Sequence, residues 1–476
     1  GIADRVKAVK QGGFMTTTIS VAGLFLALFL LVYLAFKGHS VIIIAPIVAM
    51  VAVIFSAGFD SHLMANYTEV YMTGFANYAR NYFPLYLFGA VFAKLMEVSG
   101  YADAISHLIA SRLGKERAIL AVVLCCAVLT YGGVSLFVVT FVVLPIAISL
   151  FRAADIPKRL IPGSIALGAF TFTMTALPGS PQVQNTIPMT YFGTDAFAAP
   201  VLGIIAAIMM FSLGMIWLNY RAKKAKQAEE GYGDHDDEKK EISESDLPGI
   251  IHPVIAFLLI VAVNLLCSKV IYPRLNTAYL EQYNTKISAV SGNWSVLIAL
   301  LVAIIYLIIT GLPRFKALKD SLKSAAGNSL MPLINSCAVV GFGSVIKGLA
   351  IFAIVQAFIL SISANPLITE VLAVNLLCGM TASASGGLGA TLEALAPTFL
   401  EQGARIGIGP QVLHRIASIS SGGLDSLPHN GATVTTLSLC GITHKEGYLD
   451  MFVTSVVIPI ATALVIVVLA TLGLRF

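Results

Sequence analysis

Short hydroxyl and amide side chains gather at four breaks in otherwise apolar sequence. Thr130-Tyr131-Gly132-Gly133, with Ser135 just beyond, interrupts the run 118–150. Thr175 and Pro178, followed by Ser180, Gln182 and Asn185, interrupt 161–194. The order returns in the second half: Ser383, Ser385, Gly386 and Gly387 within 366–400, then Asp425, Ser426, His429, Asn430 and Thr433 within 411–441. A break that ends one helix and starts another exposes N–H groups and the positive end of a helix dipole, which favours an anion. Neutral donors beside such ends suit a small carboxylate bearing a hydroxyl. No Arg or Lys lies in any of the four breaks, so a polyanion fits poorly. One isolated Gly-Gly pair signals close helix packing; four breaks recurring in order signal a lined cavity.

Titratable groups at membrane depth are costly and functional by default. Asp425 and His429 flank Leu427-Pro428, and Glu393 follows the second glycine pair, so these three are the candidates to carry a proton. Glu393 reads equally as a structural acid within its hairpin, and His429 as a neutral ligand. Glu97 reads as structural, near the cytoplasmic interface. The six cysteines lie inside apolar runs without metal-ligand spacing and read as small packing residues. Neither a metal nor a cofactor is implied.

The elements that position these residues are membrane helices. The chain is 57% hydrophobic and 12% charged, against about 25% charged in soluble domains. This marks an all-α polytopic membrane protein. Spans are expected near 18–36, 41–58, 82–99, 161–194 and 199–220, then 250–271, 294–312, 329–350, 411–441 and 450–473. The stretches 118–150 and 366–400 differ, because glycines split each into arms of about 14 residues. Such an arm rises about 21 Å against a core of about 30 Å. Each is predicted to be a re-entrant hairpin. Segments 60–80 and 314–328 are expected to be interfacial and amphipathic, and Trp217 and Trp294 to anchor span ends.

Five crossings per half invert the second half relative to the first. The predicted domains are a first inverted repeat over 15–220, a charged cytoplasmic linker over 221–248 and a second repeat over 249–476. With both termini outside, basic residues such as Lys37, Arg112, Arg152, Lys158, Arg221 and Arg314 fall inside, as the positive-inside rule asks. Lys94, Arg405 and Arg415 count among the fewer outside. The expected location is a bacterial inner membrane. Residues 1–14 read as a vector-derived or upstream-translation remnant.

On these breaks the chain resembles the gluconate permease family of the ion transporter superfamily. The segment from Ser420 to Phe452 looks most like the branch of D-beta-hydroxybutyrate permeases. Sugar-acid members usually carry His-Pro-Gly-Pro in the first broken helix and Asn-Asp-Pro-Gly in the second. Here the same places read Leu177-Pro-Gly-Ser-Pro181 and His429-Asn-Gly431, and Gly132 stands where gluconate carriers often have a glutamate. These departures favour a smaller, less hydroxylated acid. The resemblance implies proton-coupled uptake, a homodimer and an elevator motion of hairpins and broken helices against a scaffold.

The leading reading is a proton symporter for a short hydroxy-monocarboxylate such as 3-hydroxybutyrate, with a sugar-acid symporter as the alternative. Gln184-Asn185-Thr186 partly echoes the sodium motifs of dicarboxylate carriers of the same superfold, so sodium coupling stays open. An intramembrane enzyme built on Ser426 and His429 lacks a third orienting residue. A passive channel makes no use of an inverted repeat. Nucleic acid is not an expected partner; the partners are substrate, protons and the bilayer.

Overall fold

The computed structural model describes residues 14–36, 39–57, 62–134, 136–235, 247–315, 317–349, 363, 365–381, 383–428 and 430–476. Among these, every regular element is helical. Uninterrupted apolar runs make α1 (Phe14–Phe36) and α2 (Val41–Ala57), which pack on each other. Next comes α3 (Leu63–Val98), one helix with a π segment at Asn66–Tyr71. The expected interfacial segment over 60–80 is therefore mostly the first part of α3. Nothing between Leu63 and Val98 stops the helix, since an internal proline such as Pro84 removes only a local hydrogen bond. For the same reason 318–328 is the first part of another long helix, Leu318–Gly348, in spite of Pro332. α4 (Tyr101–Leu113) leaves α3 at 64°.

The first hairpin is α5 (Ala118–Tyr131) and α6 (Leu136–Ala153). Then come α7 (Ile161–Ala169), a single turn at Phe172–Thr175, and α8 (Val183–Phe192). α9 (Pro200–Gln227) carries the chain to the linker. Beyond the linker lie α10 (Ile251–Leu266), α11 (Ile287–Gly311) and α12 (Leu318–Gly348). The second hairpin is α13 (Pro366–Thr381) and α14 (Ala384–Arg405), before α15 (Pro410–Ser421), α16 (Gly431–Leu439) and α17 (His444–Thr471). Among the described residues, 5 helices are long and apolar enough to cross a membrane, or 6 if α3 and α4 count as one bent span.

Met72–Val98 has 27 residues and α12 has 31, about 40 and 46 Å, so both exceed a hydrocarbon core. They pack along each other, with α2 and α11 also against them. The hairpin arms are less uniform than expected. The first arms have 14 and 16 residues, the second 18 and 22, so only the first arms fall clearly short of about 30 Å.

Three charge placements correct the sequence reading. Lys94 pairs with Glu97 at 2.8 Å, one turn away, so the two share one end of α3 rather than opposite sides. Arg415 is no loop cation: it is fully buried on α15. The linker starts late, because Arg221–Gln227 continue α9. Its first residues are docked on the protein. The Tyr232 N–H donates to Asp155 at 2.9 Å, and the Arg152 guanidinium lies 5.2 Å from the Tyr232 ring centre. Residues 236–246 lie outside the described set.

One buried ion cluster joins α9, α17 and the start of the first broken helix. Asp450, with no exposed surface, accepts from Arg221 Nε at 2.8 Å, Arg159 at 3.2 Å and Trp217 Nε1 at 3.0 Å. Trp217 therefore serves a charge cluster as well as a span end. Arg159 also reaches Glu230 with two forked bonds, which hold that carboxyl below its usual range. By contrast Glu370, on α13, is fully buried and neither carboxyl oxygen has a hydrogen-bond partner among the described residues.

These burials set two stability outcomes. Asp450→Ala leaves two guanidinium groups without their shared acceptor and should cost about 3–5 kcal/mol, read as a loss of melting temperature in detergent. Glu370→Leu removes two unsatisfied oxygens, each costing about 1–3 kcal/mol, and should leave the melting temperature unchanged or raised. A marked fall would show a partner for the carboxylate.

Candidate substrate cleft

The first break forms where α5 ends at Tyr131 and the chain turns through Gly132 and Gly133. Gly133 takes a positive φ of 96°, a region open mainly to glycine, and Gly132 faces the Phe257 ring of α10. The second hairpin breaks elsewhere than expected. α13 ends at Thr381 and α14 starts at Ala384, so Ser385, Gly386 and Gly387 lie in the first turn of a helix. Ser383 caps that turn, accepting from the Gly386 N–H at 3.1 Å. Gly387 serves packing: a Cβ there would meet the Cys378 backbone at 2.4 Å.

The unwound stretches are held mostly by side chains. In the first, Asn185 donates to the carbonyls of Ser180 at 2.9 Å and Ala196 at 3.0 Å. Its Oδ1 accepts from Arg415 at 3.0 Å and faces His414 Nε2 at 3.3 Å. Arg415 also donates to the Ala198 carbonyl at 2.8 Å. Tyr131 OH donates to the Pro178 carbonyl at 2.9 Å, and Ser180 to Thr173 at 3.2 Å. The Thr175 carbonyl accepts from Ser418 at 2.7 Å, so the two broken helices are stitched side by side. In the second break Asn430 caps α16, accepting from Ala432 and Thr433 at 2.7 and 3.0 Å. Asn375 of α13 accepts from the Leu424 N–H at 3.2 Å.

A cleft of about 1310 Å³ lies between these breaks and the long helices α3 and α12. Of the sequence candidates, Gly133, Gln182, Ser383, Ser385, Asp425, Ser426 and Asn430 line it. Thr130, Tyr131, Gly132, Thr175, Ser180, Asn185, Gly386, Gly387 and Thr433 stand behind it, where they shape the breaks. Ser135 and His429 lie outside the described residues. Glu393 is apart from the cleft: it pairs with Lys347 of α12 at 3.4 Å and accepts from Tyr191 of α8 at 3.4 Å. That is a link between elements rather than a bond inside its own hairpin.

Four helices begin at the cleft wall, with Leu136, Val183, Ala384 and Gly431 all lining it. The cradle is thus built of N-termini and mostly neutral groups, with Asp425 in its floor and Lys94, Glu97 and Asp103 also on its walls. The Asp425 carboxylate is buried, accepts from Ser426 Oγ at 3.2 Å and forms no ion pair among the described residues. Sequence reasoning missed the far wall, Tyr86 of α3 and Asn335 of α12. A hydroxyl chain crosses there, Tyr86 to Ser336 at 3.2 Å and Ser336 to Ser385 at 3.0 Å. Their polar types within apolar helices were the only available signal. Gln184, a cleft residue, was read only as part of a sodium-motif echo, Arg415 as a loop cation, and the buried His414 beside it was missed.

The model for the GntP family permease matches residues 15–423. An uncharacterized transporter of Bacillus subtilis, YxjC, is 41% identical over 466 residues, covering 94% of this chain and 98% of its own. A high-affinity gluconate transporter of Escherichia coli is 30% identical over 186 residues, 38% of this chain and 39% of its own. Among solved structures, the YdaH transporter of Alcanivorax borkumensis, described as having an unusual topology, superposes with a TM-score of 0.56. It covers 88% of this chain and 90% of its own at 16% identity, a likeness of fold. With a family match over most of its length and a full-length transporter relative, the chain belongs to the GntP permease family of multi-pass membrane transporters.

Proposed function

We propose that this permease is a proton-coupled symporter importing a small hydroxy-monocarboxylate of the 3-hydroxybutyrate type. The observation that carries the reading is the convergence of four helix N-termini on one cleft whose breaks bear no fixed cation. Oriented N–H groups and dipoles hold a single carboxylate there, while the hydroxyls of Ser383, Ser385 and Ser426 suit a substrate hydroxyl. The matching order of hairpin and broken helix supports two inverted repeats, 15–220 and 249–476, joined by a linker that begins beyond Gln227. In this reading the hairpins and broken helices move as an elevator against α3, α12 and their neighbours, within a homodimer in the bacterial inner membrane. Both termini face outward. The six-carbon sugar acids are the second reading, favoured by the gluconate relative and by a cleft larger than a four-carbon acid needs.

Asp425 is the coupling group in this scheme. Import of a monoanion against an inside-negative potential costs about 2.3 kcal/mol per 100 mV, and one accompanying proton makes the cycle electroneutral. Asp425 sits in the cleft, with no cation bonded to it among the described residues.

Proteoliposomes given an inward proton gradient should accumulate radiolabelled 3-hydroxybutyrate, with unlabelled gluconate a weaker competitor. Accumulation driven only by a sodium gradient would reject the proton, and stronger competition by gluconate would reject the small acid. Asp425→Asn should abolish gradient-driven accumulation while substrate exchange persists. A variant that still concentrates substrate with the wild-type pH profile would remove Asp425 from the coupling step.

A further inference from the structure

Three amide side chains stand close together at the start of α8, and they are not equivalent. Gln182 donates from its Nε2 to the Thr130 carbonyl at 2.7 Å, tying the first break to the first hairpin tip. Asn185 commits both ends of its amide, one to backbone carbonyls and the other to Arg415. Gln184 does neither. It is only 7% exposed and lines the cleft, yet its Oε1 is buried without a hydrogen-bond partner among the described residues. An amide oxygen left so costs stability with no structural return, and an orphan of this kind calls for a ligand that completes it.

The helix start beside it is also open. α14 and α16 begin with caps from Ser383 and Asn430, but α8 has no side-chain cap. The N–H groups of Asn185 and Thr186 are taken by the Gln182 carbonyl. Those of Val183 and Gln184 have no backbone partner among the described residues. Val183 and Gln184 both line the cavity, so uncapped N–H groups and an unpartnered, buried amide oxygen lie together at its wall. A carboxylate satisfies the donors and a hydroxyl proton satisfies the acceptor, so one hydroxy acid answers both.

We infer that Gln184 is the residue that reads the substrate hydroxyl, accepting its proton at Oε1 while the carboxylate rests on the open N-terminus of α8. The inference rests on the hydroxy-acid reading and adds its specificity determinant. A polar group built to bond a hydroxyl discriminates against an analogue lacking it, because that analogue leaves the group unpaired.

The test compares 3-hydroxybutyrate, butyrate and 3-fluorobutyrate as competitors of labelled 3-hydroxybutyrate uptake. Wild-type protein should favour the hydroxy acid by about tenfold or more, and 3-fluorobutyrate, which cannot donate, should compete no better than butyrate. Gln184→Met keeps the side-chain volume and removes the acceptor. It should collapse the preference to near unity by weakening the hydroxy acid alone, with butyrate unchanged. A Gln184→Met variant that keeps the wild-type ratio overturns the inference and leaves the hydroxy-acid reading standing. So does 3-fluorobutyrate matching the hydroxy acid on wild-type protein, a measurement that holds even if the variant fails to fold. Wild-type protein that neither transports nor binds 3-hydroxybutyrate overturns the reading and the inference together.

Discussion

Backbone that leaves the helix inside a membrane protein must find new hydrogen-bond partners, and the rest of this structure is arranged around that need. An unpaired peptide group in hydrocarbon costs several kcal/mol, and two helices here unwind at once. Side chains supply the missing partners. Asn185 and Arg415 bond the carbonyls of Ser180, Ala196 and Ala198, while Ser418 bonds Thr175 and Asn375 bonds Leu424. Most of these bonds join elements distant in sequence, so the breaks are held by tertiary contacts more than by local ones.

What those contacts leave unbonded is then informative. With the carbonyl sides anchored behind the cleft, N-termini are left to face it. At the breaks such a lining offers the positive ends of helix dipoles without a cation beside them. On the proposed reading, a small anion is held there by dipoles, which need no counter-ion when the substrate leaves. The opposite wall comes from α3 and α12, whose hydroxyl contact with Ser385 joins the second hairpin to the long helices. Any relative movement of the two walls has to break that contact, together with the Glu393–Lys347 pair.

Charges elsewhere obey a different logic. Asp450 gathers Arg159, Arg221 and Trp217 at one end of the molecule, where a buried carboxylate is sustained by several donors at once. Asp425 has one hydroxyl donor, Ser426, and a cavity beside it. The two aspartates share a chemistry and differ in their surroundings, and only the second lines the cleft.

Much of this was legible in the residues. Apolar composition dictated an all-helical membrane protein, and Gly132-Gly133, Pro178 and Pro428 marked three of the breaks within a residue or two, because glycine and proline act through the backbone itself. The fourth was displaced: Gly387 packs against Cys378 while the chain breaks at Ser383, and a glycine chosen for close approach looks the same in sequence as one chosen for a turn. Which polar residues would be tied to backbone and which left free was settled only by the tertiary structure. Asn185, Gln182 and Gln184 lie within four positions and have similar chemistry, yet Arg415 and the Thr130 carbonyl occupy the first two and leave the third open. Arg415 itself, a loop cation by position, is buried because the carbonyls it satisfies lie more than two hundred residues away in the chain. Periodicity and composition act along the chain and can be read there. Hydrogen-bond partnership is decided across it, by which elements meet.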